Sequence, residues 1–282
     1  MSYAHPEVLV ETNWVADHIK DAKVSILEVD YDPENSYNQG HINNAGLVWW
    51  KRDVNDPVRR DIINKEQFEV LMSRLGVNPD TTLVLYGDFN NWFAAFAFWV
   101  FKYYGHQDVR IMNGGRKKWE TEQRQYVKDE PTFQQTKYLS KPPNDELRAY
   151  LQEVKNIVER KDPKWALVDV RSPKEFTGEI TAPPEYPMEH AQRGGHIPSA
   201  QNIPWAQAVK DDGTFKSVGE LKQLYEPKGV TTDKNVIAYC RIGERSSHSW
   251  FVLKYLLGYP NVKNYDGSWT EWGNMIRNPI EK

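Results

Sequence analysis

The chain has one cysteine, Cys240. Its neighbours are residue types that make a thiol reactive: Cys240-Arg241-Ile242-Gly243-Glu244-Arg245-Ser246. An apolar run, residues 236–239, precedes it and reads as a strand; residues 246–257 follow as a helix closed by Gly258. In open parallel α/β sheets, ligands bind at the carboxyl ends of strands. A loop entering a helix N-terminus offers unpaired N–H groups and the positive end of the helix dipole. A central glycine, Gly243, allows the loop to curl into an anion-binding nest. Arg241 and Arg245 add positive charge. These features predict a thiol with a depressed pKa, a nucleophile facing an anionic substrate. An inert buried thiol would be poorly served by two flanking arginines. Ser246 and Ser247 read equally well as helix caps and as donors to a thiolate.

The elements that hold this loop occur twice. Residues 83–119 and 236–272 align without a gap at an offset of 153, pairing Tyr86 with Tyr239, Gly105 with Gly258, Gly114 with Gly267 and Trp119 with Trp272. Upstream, Gly40-His41-Ile42 matches Gly195-His196-Ile197 at an offset of 155, and residues 27–29 resemble 168–170 at 141. The growing offset places about 14 extra residues in the second half, around the Pro-rich stretch 179–192. Two copies of this length argue for two homologous domains rather than a solenoid. The expected division is a domain over 1–135, a linker over 136–146 containing Pro142-Pro143, and a catalytic domain over 147–282. Short apolar runs alternate with helical patterns in both halves, which predicts α/β units, each a mainly parallel sheet with helices on both faces.

The repeat is also an internal control. Gly87 stands where the second half has Cys240, so the first domain is expected to be catalytically empty. Trp92 and Phe93 fall near the end of the matching loop and are candidates for an apolar wall facing the second domain's site, or equally for plain core. His41 and His196 occur in both copies, which favours a structural role. Asp266 and Glu271 sit in a turn-like Asp-Gly-Ser setting and read as structural hydrogen-bonding groups. Lys117 and Lys118 read as a solvated face.

Composition excludes several classes. One cysteine in 282 residues leaves no intrachain disulfide framework and no multi-cysteine metal or iron–sulfur site. A net charge of −3 gives no electrostatic case for nucleic acid. The first residues show no signal-peptide pattern, and the most apolar stretch, 92–101, is too short to span a membrane. A cytoplasmic location with a reduced thiol is expected.

These motifs resemble the two-domain rhodaneses, most closely the bacterial thiosulfate sulfurtransferases, over nearly the whole chain. Residues 262–272 match the family's C-terminal signature. Gly195-His196-Ile197-Pro198-Ser199-Ala200 matches the upstream one, with Ser199 in place of a glycine, and Asp169-Val170-Arg171-Ser172-Pro173 matches the strand-end segment of active domains. The resemblance implies a Cys240 persulfide: the thiolate takes the sulfane sulfur of thiosulfate, sulfite leaves, and cyanide or another thiophilic acceptor removes the sulfur. It implies no metal and no organic cofactor. Arg241 and Arg245 are expected to orient the donor's sulfonate end, within a loop that includes Gly243 and Ser246. Arg171 reads either as a donor contact or as a structural ion-pair partner. Two positions depart from the family pattern: Ile242 and Glu175 replace basic residues.

Three rival functions follow. A 3-mercaptopyruvate sulfurtransferase usually carries Cys-Gly-x-Gly, where this chain has Arg241. A phosphatase or arsenate reductase needs arginine six positions after the cysteine, where this chain has Ser246. A persulfide relay to a protein acceptor remains compatible with the intact loop.

Overall fold

The computed structural model describes residues 2–184, 187 and 189–282; Glu185, Tyr186 and Met188, inside the Pro-rich stretch read as an insertion, lie outside the described residues. It divides into two compact units, Glu7–Asn144 with Lys210–Phe215, and Asp145–Val209 with Lys216–Lys282 and the residues up to Pro6.

The first unit is built on strands β1 (Leu9–Val10), β2 (Val24–Asp30), β3 (Gly46–Trp49), β4 (Thr82–Tyr86) and β5 (Val109–Met112). They lie in the order β1-β5-β4-β2-β3, and every pairing is parallel. Its helices are α1 (Thr12–His18), α2 (Trp50–Asp53), α3 (Lys65–Arg74), α4 (Trp92–Tyr103) and α5 (Gly115–Thr121). The second unit has β6 (Trp165–Asp169), β7 (Gln201–Asn202), β8 (Asn235–Tyr239) and β9 (Val262–Tyr265), in the order β7-β6-β8-β9 and again all parallel. Its helices are α6 (Leu151–Arg160), α7 (Pro173–Thr177), α8 (Val218–Tyr225), α9 (Glu244–Phe251) and α10 (Ser268–Asn274). The fold is α/β, as the alternation predicts. Successive residues of β4 and β8 are buried whichever face they point to, so these strands read as unbroken apolar runs.

The repeat is visible in details as well as topology. Tyr86 accepts the Ile42 N–H at 2.9 Å, and Tyr239 accepts the Ile197 N–H at 3.0 Å. His41 bridges to Val127 and His196 to Glu281, both antiparallel. Each histidine stacks on a ring, Tyr37 or Phe176, and uses Nδ1 on that residue's carbonyl. These contacts are structural in both copies. Ser199 takes a left-handed φ of +69°.

Residues 136–144, most of the expected linker 136–146, belong to the first unit. Thr136 N–H bonds the Ser73 carbonyl, Tyr138 N–H bonds Ser73 Oγ, and Tyr138 is buried edge-on against Phe68. Their anchors are scattered over α3, Val77 and the end of α4, where Lys141 N–H and Asn144 N–H bond the Tyr104 and Tyr103 carbonyls, and they leave no periodic signature. Among the described residues, no helix is long and apolar enough to cross a membrane.

Candidate active site

Strand β8 ends at Tyr239, and Cys240 begins the turn into α9. Gly243 caps that helix with a left-handed φ of +101°; a Cβ there would lie 2.9 Å from Asp266 Cβ. Only glycine combines that dihedral with that approach. The helix therefore starts at Glu244, two residues earlier than its apolar pattern indicates. It continues beyond Phe251 as a π-helical turn, Val252–Leu256.

The loop backbone is pinned from both sides. Cys240 N–H donates to Ser268 Oγ at 3.0 Å. The Cys240 and Arg241 carbonyls accept the N–H groups of Trp269 and Thr270, at the start of α10. Sγ itself accepts the Gly243 N–H at 3.1 Å. The Ser246 hydroxyl lies 3.7 Å from Sγ but 2.7 Å from Asn264 Oδ1. One O–H makes one strong bond, so this hydroxyl ties the loop to β9. Ser247 Oγ donates to the Gly243 carbonyl and accepts from Asn264.

The charges are arranged differently from the sequence expectation. Arg245 turns both terminal nitrogens onto the Glu175 carboxylate, each at 2.9 Å. Glu175 is presented by α7, whose N-cap Ser172 forms a reciprocal capping box with it. Burial alone would raise Glu175, but the Arg245 charge and hydrogen bonds, helped by Arg171, outweigh it and hold Glu175 at about 2. Arg171 binds Asp169 through Nε and Nη2, donates to the Gly195 carbonyl, and lies 4.7 Å from the Trp269 ring centre. Arg241 is fully buried beside the cysteine.

Glu244 carries no distinguishing signal in the sequence, yet its side chain lies against the sulfur. It is fully buried, and its Oε2 lies 3.6 Å from Cys240 Sγ. The buried groups Asp169, Glu175 and Glu244 balance Arg171, Arg241 and Arg245. The expectation of a depressed thiol pKa is corrected accordingly. Burial pushes the Cys240 thiol up, and Glu244 adds to it; Arg245 and the Ser246 N–H and hydroxyl pull down but are outweighed. A thiolate and a carboxylate 3.6 Å apart repel by about 5 kcal/mol at an effective dielectric of about 20.

In the first unit the matching loop is filled by its own side chain. Gly87 N–H bonds Asn91 Oδ1 at 3.0 Å, and Asn91 Nδ2 reaches the Met112 carbonyl. Phe89, Asn90 and Asn91 all take positive φ, between 47° and 67°. Asp88 is raised to about 7, first by burial and then by Asp30. Trp92 is half-buried at the start of α4, and Phe93 is buried against Tyr31 and Trp50 within the same unit.

Residues 11–122 and 150–275 both match the model of the Rhodanese-like domain. The chain belongs to the rhodanese family. This rhodanese is 59% identical to the sulfur carrier protein TtuD of Thermus thermophilus, over 100% of this chain and 99% of that one. It is 53% identical to a Saccharopolyspora erythraea protein provisionally named a thiosulfate sulfurtransferase, over 98% and 96% of the two chains. A Haloferax volcanii protein with the same provisional name is 50% identical over 98% and 96%. Among solved structures, the rhodanese superposes on wild-type EanB with a TM-score of 0.87 at 25% identity, covering 99% of this chain and 70% of that one. These relationships make it a sulfurtransferase-type protein with two rhodanese domains.

Proposed function

We propose that the chain is a thiosulfate sulfurtransferase working through a persulfide on Cys240. The thiolate bonds the outer sulfur of thiosulfate as the S–S bond breaks and sulfite leaves with the bonding pair. Cyanide or another thiophile then takes the outer sulfur and returns the thiolate, a double displacement. The observation that carries this reading is the Cys240 sulfur at the end of β8, held by the Gly243 N–H at 3.1 Å in the turn into α9. We assign the sulfonate end of the donor to Arg241, the guanidinium next to the nucleophile. Arg245 acts on the sulfur from its pair with Glu175, as a fixed charge rather than a mobile clamp. The first unit, with Asn91 filling its loop, is assigned no sulfur chemistry. The proposed location is the cytoplasm, where the thiol stays reduced.

Initial rates with thiosulfate and with mercaptopyruvate, each with cyanide, test the donor. Faster thiocyanate formation from thiosulfate is expected; a clear preference for mercaptopyruvate overturns the assignment. A second reading, relay of the persulfide sulfur to a protein acceptor, is favoured by the 59% identity to a sulfur carrier protein. It predicts that persulfidated enzyme passes its outer sulfur to the thiolate of a protein acceptor, which becomes a persulfide as the Cys240 thiolate is returned, without free sulfide.

A further inference from the structure

We propose that Glu244 is the proton acceptor of Cys240: the S–H proton moves to the Glu244 carboxylate as the sulfur attacks, and stays there while sulfur is bound. This role presupposes the sulfurtransferase reading, so its test has one arm that needs no donor.

Geometry carries the assignment. Glu244 Oε2 is 3.6 Å from Sγ, within reach of an S–H donor, and neither residue is exposed. The left-handed Gly243 turns the chain so that the carboxylate of the next residue, Glu244, four residues after Cys240, folds back over the sulfur. The groups facing this pair are already committed. Arg245 lies on α9, with Nε 3.9 Å from Glu244 Oε1 and its terminal nitrogens on Glu175 of α7. Asp266, at the end of β9 beside Gly243, is paired bidentately with Arg148. Arg241 lies in the loop itself, and His248 one turn along α9 is pushed down to about 3 by burial and stays neutral.

Charge conservation explains why the proton should move locally. The pair holds one proton whether it is thiol with carboxylate or thiolate with carboxylic acid, so transfer leaves the buried charge unchanged. Release to solvent would instead leave two adjacent anions facing a dianionic donor. The step balances. Thiol and carboxylate give thiolate and carboxylic acid; thiolate and thiosulfate give persulfide anion and sulfite. Cyanide with the persulfide anion gives thiocyanate and thiolate, which recovers its proton from Glu244. No oxidant or reductant enters.

Difference infrared spectroscopy on adding thiosulfate tests this directly. A carboxylic acid C=O band should appear in wild type as persulfide forms, and be lost in Glu244→Gln. In Glu244→Asp, which keeps a carboxylate should the first variant misfold, the band should shift. Persulfide confirmed by mass with no such band overturns the role. The second arm is the pH dependence of Cys240 alkylation by iodoacetamide. Wild type should show two rising steps, from the proton-sharing pair and then from loss of its last proton; Glu244→Gln should show one. A single step in wild type overturns the role even if thiosulfate proves not to be the donor. Two steps uphold it in that case.

Discussion

Replacing Arg245 with methionine separates a donor clamp from a buried structural charge. The substitution keeps the bulk of the side chain and leaves Glu175 buried without its cation. Glu175 stands at about 2 against an ordinary 4.5. That difference of about 2.5 pKa units, at about 1.4 kcal/mol each, corresponds to roughly 3 kcal/mol. The value lies at the low end of the 3–5 kcal/mol typical of breaking a buried pair. The low end is reasonable because Ser172 still supplies its N–H and hydroxyl to the carboxylate, at 3.1 and 3.0 Å. A loss of ~3 kcal/mol lowers the melting temperature by roughly 6–12 °C for a protein of this size. Urea unfolding at neutral pH followed by circular dichroism reads it. Glu175→Gln should cost a similar amount, and the double variant should cost clearly less than the two together. The reasoning is refuted if Arg245→Met stays within about 0.5 kcal/mol of wild type, the range of an inconsequential surface change, and only raises the KM for thiosulfate. Arg245 would then be the free donor contact that its sequence position suggests.

Other outcomes follow from the same geometry. Gly243→Ala forces a left-handed φ on a residue with a Cβ and drives it against Asp266, so stability should fall by at least about 1–2 kcal/mol with loss of sulfur transfer; a stable, active variant contradicts the loop geometry. Ser199→Gly should raise stability by up to about 1 kcal/mol, because glycine holds φ +69° without strain; chemical denaturation measures it, and a loss contradicts it. Acid should destabilise the protein in two stages. His248 is lowered to about 3 from 6.5 by burial, so its contribution is complete above pH 6.5 and is lost as pH falls toward 3. Glu175 is lowered to about 2 from 4.5, against burial and by Arg245, so its contribution is complete above about 4.5 and is lost below. Stability measured from pH 7 to 4.5 should decline in wild type and less so in His248→Phe; a flat wild-type profile contradicts a neutral buried His248.

The two-unit α/β fold was legible because its signals are local and repeated: short strands buried on both faces, glycines beyond α4 and α9, and the same Tyr and Gly-His-Ile positions in each copy. The place of Cys240 was legible for the same reason, at a strand end before a glycine turn. The electrostatics were not. The direction of the Cys240 shift depends on burial and on Glu244 folding back over the sulfur, which requires the left-handed Gly243 to be in place. Arg245 read as a donor contact because its partner lies 70 residues away on α7. A clue was present: Glu175 replaces a basic residue of the family pattern, and a carboxylate there beside an arginine at 245 is a matched pair. The stretch 136–144, most of the expected linker 136–146, gave no signal because its anchors are scattered hydrogen bonds to α3, Val77 and the end of α4, invisible to any periodicity.

Mass spectrometry of the protein after brief exposure to thiosulfate tests the central claim most directly. The prediction is a gain of one sulfur atom, localised to the peptide containing Cys240. Cyanide should remove it and yield an equal amount of thiocyanate, and Cys240→Ala should not gain it. An unmodified Cys240 after exposure, or thiocyanate formation by Cys240→Ala at the wild-type rate, would contradict the persulfide mechanism.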